Sequence, residues 1–147
     1  MSKKDLQPDP DSPPLGAAES APLSGVTVAV DFDGTCVTHE YPRIGRAVGA
    51  EPVLDELVKQ GARLILWTMR SGQELADAVC WFEERNIPLW GINENPEQNT
   101  WTQSPKAYAQ LYIDDAALGA PLCPGQDGEP PYVDWARVRD LISAEFS

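Results

Sequence analysis

Val26–Thr35 reads VTVAVDFDGT, and few folds can use such a run. Its first five residues, β-branched or small, favour a strand buried on both faces, the habit of parallel sheets. The run then breaks into two aspartates one residue apart, followed by Gly34 and Thr35. Open α/β sheets keep their ligands at the carboxyl ends of the strands. Asp31 and Asp33 are therefore placed where such a sheet does its chemistry.

The rest of the chain alternates strand and helix signals. A first strand over Val26–Asp31 is followed by an irregular flap, Cys36–Gly49, holding Pro42 and Gly45. Glu51-Pro52 opens a helix with an apolar stripe of Val53, Leu54, Leu57 and Val58, and Gly61 stops it. Arg63–Thr68 (RLILWT) is a second buried strand. Gly72–Asn86 is a helix with Leu75, Ala78, Val79 and Phe82 on one face and Asn86 suited to a left-handed C-terminal position. Leu89–Ile92 is a short third strand, Asn93–Thr102 a polar loop, and Ser104-Pro105-Lys106 the start of a short helix. Leu111–Asp114 is the fourth strand. A Pro/Gly-rich loop over 119–133 leads to a last helix capped by Asp134. This alternation predicts a parallel α/β sheet in a single domain over 25–147. Residues 1–24, with five prolines, are expected to be a disordered arm.

Composition closes off several functions. The formal charge of −12 argues against a nucleic-acid surface, which needs clustered Lys and Arg. Three scattered cysteines, Cys36, Cys80 and Cys123, form no metal-binding or disulfide pattern and fit a reducing cytoplasm. No apolar stretch approaches the roughly 20 residues of a membrane helix. Lys3 and Lys4 lead into Pro, Asp and Ser instead of a signal peptide's apolar segment.

Asp31/Asp33, Thr68, Lys106 and Asp114/Asp115 all fall at expected strand ends or helix starts. Four carboxylates brought together cannot all stay ionised without a cation among them. An oxygen-only ligand set selects a hard ion, and magnesium is the usual partner of phosphate. One carboxylate can then attack phosphorus while a second moves the proton. Lysine, hydroxyl and backbone N–H groups meet the charge on the transferring oxygens. Asp31, Asp33, Lys106, Thr68 and the turn at Gly34 fill those posts.

These residues, in this order, resemble the four motifs of the haloacid-dehalogenase-like superfamily, over about residues 26–118. The resemblance implies Asp31 as nucleophile and Asp33 as general acid/base. It implies magnesium held by the Asp31 carboxylate, the Asp33 carbonyl, Asp114 and Asp115, with Thr68 and Lys106 on the phosphoryl group. It implies a Rossmann-like three-layer sandwich with sheet order 4-1-2-3, flanked by helices. The aspartate at 33 points to phosphoester hydrolysis instead of dehalogenation. No segment is long enough for a cap domain, so the chain resembles the capless subclass. Tyr41-Pro42-Arg43-Ile44-Gly45 and Leu64–Arg70 (LILWTMR) match a pattern in small bacterial or phage members.

Arg70, two residues past Thr68, can reach a substrate anion or lie over the sheet edge. Arg43 and Tyr41 are the flap's candidates for substrate contact, and His39 reads as an exposed loop residue. Trp101, in the polar loop, can line a pocket or a subunit contact, and an open site is compatible with a homodimer. The expected partner is a phosphorylated small molecule; a polynucleotide or phosphoprotein substrate, or a catalytically silent binding module, stays open. A receiver-type signalling domain uses the same groups in another order. A cysteine phosphatase on Cys36 fails because Arg43 lies one residue too far for Cys-x5-Arg.

Overall fold

The computed structural model describes residues 21–146. Strands β1 (Thr27–Val30), β2 (Arg63–Leu66), β3 (Gly91–Ile92) and β4 (Leu111–Ile113) form one parallel sheet in the order β3-β2-β1-β4. Read from its other edge, that order is 4-1-2-3. Helix α1 (Ala50–Lys59) connects β1 to β2, and α2 (Gly72–Glu84) connects β2 to β3. A small antiparallel hairpin, β5 (Leu122–Cys123) and β6 (Tyr132–Val133), precedes the final helix α3 (Trp135–Phe146).

Strand alternation divides the side chains between two faces. Val28, Val30, Leu64 and Leu66 enter the main core with Val53, Leu54 and Leu57 of α1, Ala78, Trp81 and Phe82 of α2, and Val138 and Ile142 of α3. All three helices thus bury their apolar stripes in one core on one side of the sheet. The other face carries Ala29 and Ile65, covered by Ala107 and Ala109 with Trp67 and Trp90 packed against them.

That second cover departs from the expected three-layer sandwich. It is irregular chain, with one 3-10 turn at Gln98–Thr100, and no helix forms at Ser104-Pro105-Lys106. The physical reason lies in Gln98 and Asn95, both buried. Gln98 donates to the Ser104 and Lys106 carbonyls and accepts from Tyr108 N–H, while Asn95 donates to the Tyr108 carbonyl. Side chains here satisfy backbone groups that a helix would have paired internally.

Other differences are small. Asn86 has φ 57°, the left-handed position expected at the end of α2. Asp134 Oδ1 accepts from Arg137 N–H at 3.1 Å, as a cap should. The hairpin β5–β6 lies inside the stretch expected to be loop. Leu23 is fully buried and its N–H donates to the Gln60 carbonyl, so residues 21–24 belong to the domain and not to the arm. The rest of the expected arm, residues 1–20, lies outside the described residues. Among the described residues no helix is long and apolar enough to cross a membrane.

Candidate active site

The Asp-Phe-Asp alternation works as an anchor. Phe32 is fully buried and packs edge-on to Trp81 at 5.8 Å, with Phe82 at 6.2 Å. Pinning the middle residue in the core leaves Asp31 and Asp33 facing the cleft on either side. Asp31 N–H continues the β1–β4 ladder by donating to the Ile113 carbonyl, which sets Asp31 beside Asp114.

Oxygen atoms of Asp31, Asp114 and Asp115 lie within 4.8 Å of one another. The three face an open cleft of about 510 Å³ that is also lined by Asp33, His39, Tyr41, Thr68, Met69 and Arg70. A second hollow of about 340 Å³ adjoins it, with Trp67 and Asn93 on its walls. Burial first, then a side-chain hydrogen bond with Asp115 and repulsion from Asp114, push the Asp31 carboxyl from 3.8 up to about 8. A group in that position gains most from a nearby cation. Three close carboxylates with no nitrogen or sulfur donor suit a hard divalent ion of the magnesium type.

Thr35 organises this cluster, and its role had no signal in the sequence beyond its place after Gly34. It is fully buried; its hydroxyl donates to Asp31 Oδ2 at 2.9 Å and accepts from Asp115 N–H at 3.1 Å. Its carbonyl accepts from Trp135 Nε1 at 2.7 Å, so the final helix holds the loop. Gly34 has φ 79°, and a Cβ there would collide with the Asp115 carboxylate. Only glycine meets both demands.

Thr68 stands at the cleft as expected, its N–H held by Asn93 Oδ1 at 2.8 Å and its hydroxyl accepting from Arg70 N–H at 3.2 Å. Asn93 reaches this bond from a left-handed turn, φ 55°.

Arg70 departs from its expected role as an anion ligand. Its side chain is 1% exposed, and its guanidinium makes a bidentate pair with Asp33, both bonds 2.8 Å. It donates as well to the carbonyls of Pro42, Arg43 and Glu74. All five N–H bonds of the group are used, so none remains for a substrate.

Arg43 does not line the cleft; it pairs with Glu40 at 3.2 Å with 80% of its side chain exposed. Tyr41 and His39 do line the cleft. Lys106 does not: its ammonium sits 5.5 Å from the centre of the Tyr112 ring. The missing helix at 104–106 accounts for this placement. Tyr112 stands two residues before Asp114 on the same strand face, about 7 Å along it. Cys36 is fully buried, donates to the Asp31 carbonyl and has its thiol pushed up by burial and by Asp31 and Asp33, which disarms it as a nucleophile.

No family model matches the chain, and no curated protein matches it. A solved structure does: a conserved protein from Bacteroides thetaiotaomicron, 35% identical, with a TM-score of 0.66. The match covers 83% of this chain and 93% of that one. Identity at that level over nearly the whole of the other chain means that this protein belongs to the same family as the conserved Bacteroides protein.

Proposed function

We propose that the chain is a magnesium-dependent phosphomonoesterase of the haloacid-dehalogenase-like type, without a cap and with a Rossmann-like core. The observation that carries this reading is the convergence of Asp31, Asp114 and Asp115 at the ends of β1 and β4. The four motifs found in order along the chain support it, as does the open cleft over the cluster. Asp31, Asp114 and Asp115 would hold the cation, together with the Asp33 carbonyl that the resemblance assigns to it. When bound, the cation offsets negative charge on the carboxylates and on the phosphoryl oxygens.

In this reading the Asp31 carboxylate attacks phosphorus, forming an aspartyl phosphate, and the ester oxygen departs with a proton from Asp33. Asp33 then takes a proton from water, which attacks the phosphorus and releases phosphate and free Asp31. The Thr68 hydroxyl would bind the transferring oxygens, whereas the Gly34 turn, expected to share that role, cannot. Gly34 N–H donates to the Val37 carbonyl at 2.8 Å, and Thr35 and Cys36 N–H donate to the Phe32 carbonyl. Lys106, which the resemblance assigns to the phosphoryl group, would have to leave the Tyr112 ring to reach it. The substrate in this reading is a small phosphorylated molecule set against Tyr41 and Met69 of the cleft and Trp67 of the adjoining hollow, although an open site equally suits a macromolecular phosphoester or closure by another subunit.

The test is release of phosphate from an aryl phosphate with magnesium, by the wild type and by Asp31→Asn. Activity is expected in the wild type alone. Equal rates in the two proteins would remove Asp31 as nucleophile, and no activity in either across a panel of phosphorylated metabolites would favour a silent binding module.

A further inference from the structure

The flap and the acid/base candidate meet on a single buried group. Arg70 gives two N–H bonds to the Asp33 carboxylate, two to the flap carbonyls of Pro42 and Arg43, and one to the Glu74 carbonyl in the first turn of α2. Its guanidinium carbon lies 5.0 Å from the Phe32 ring centre and 5.2 Å from that of Tyr41. The base of the flap is held independently. Thr38 N–H donates to the Arg46 carbonyl, Arg46 N–H donates to the Thr38 hydroxyl, and the Arg46 side chain pairs with Glu129 at 2.9 Å. Between those anchors, the segment carrying His39 and Tyr41 is tied to the sheet end through Arg70.

We propose that Arg70 is a positioning residue, a latch by which one guanidinium sets both the orientation of Asp33 and the seat of the flap over the cleft. An arginine can do this because its five donors fan out in one plane; a lysine presents three donors from one point. The substrate-facing side of the flap and the proton-transferring carboxylate then keep a fixed spacing, so a substrate that fits against Tyr41 finds Asp33 already in place. The activity arm of this inference rests on the phosphohydrolase reading; its structural arm does not.

The experiment pairs backbone hydrogen exchange over residues 38–46 with steady-state kinetics on an aryl phosphate and magnesium. The proteins are wild type, Arg70→Lys, Arg70→Gln and Asp33→Asn. Both Arg70 variants are expected to exchange flap amides about tenfold faster, the loss of one net hydrogen bond or more. They should raise KM and lower kcat together by about 100-fold in kcat/KM, the effect of a misplacement near 1 Å. Asp33→Asn should lower kcat while leaving flap exchange within about twofold of wild type, because the flap carbonyls keep their donors. Unchanged flap exchange in Arg70→Lys, which retains the buried charge, would overturn the latch. If the wild type releases no phosphate, the phosphohydrolase reading fails and the exchange data still judge the latch.

Discussion

Asp31→Asn should make the metal-free protein more stable, and increasingly so as pH rises. Burial and the neighbouring Asp115 and Asp114 lift the native carboxyl from 3.8 to about 8. Between those values the unfolded chain has lost the proton and the native state keeps it. Deprotonation therefore favours unfolding, and stability falls as pH rises from about 4 to about 8. At pH 7 the loss is about 4 kcal/mol if Asp31 bears it alone, at 1.36 kcal/mol per pH unit. Solvent screening of a partly exposed carboxyl reduces this, and about 2 kcal/mol is expected. Asparagine does not titrate, and its oxygen can still accept from the Thr35 hydroxyl. In chelator at pH 8 the variant should melt about 6–10 °C above wild type, with the gap closing near pH 4. Magnesium should raise the wild-type melting temperature at pH 8 and leave the variant's nearly unchanged. Calorimetry across pH with and without magnesium decides it. A gap that does not widen with pH would refute the electrostatic account of the cluster.

Thr35→Val removes the hydroxyl between Asp31 and Asp115 and leaves the Asp115 N–H unpaired; urea unfolding should show a loss of about 1–3 kcal/mol. Gly34→Ala combines an unfavourable φ with a collision at Asp115, and should cost about 1–3 kcal/mol and abolish the magnesium-dependent rise in melting temperature. Trp135→Phe keeps the ring packing but loses the buried bond to the Thr35 carbonyl. A loss of about 1–2 kcal/mol is expected, with slower phosphate release although the residue lies outside the cleft.

Strand β1 and the acidic tips at Asp31 and Asp114 were legible because their signals are local, whereas the pairing of β1 with β4 followed only from the resemblance. A run of β-branched residues ending in carboxylates needs no knowledge of the rest of the chain. Arg70 was not legible, since its five acceptors come from Asp33, Pro42, Arg43 and Glu74, which only the closed fold brings together. A cation beside a site reads as an anion ligand until its donors are counted. The segment 93–110 misled for a related reason. Ser-Pro-Lys is a sound helix start by local rules, but buried Gln98 captures the very backbone groups that a helix would have used.

The bond from Trp135 Nε1 to the Thr35 carbonyl joins residues 100 positions apart in the chain. Asp31 comes from the first strand, Asp114 and Asp115 from the fourth, and the brace on their shared threonine from the last helix. During synthesis, the first strand and its aspartates leave the ribosome long before that brace exists. The cluster can acquire its final spacing only after α3 has emerged and packed. If the cluster holds a cation as proposed, its stabilising effect belongs to the finished domain, and nascent chains halted before Trp135 should lack it.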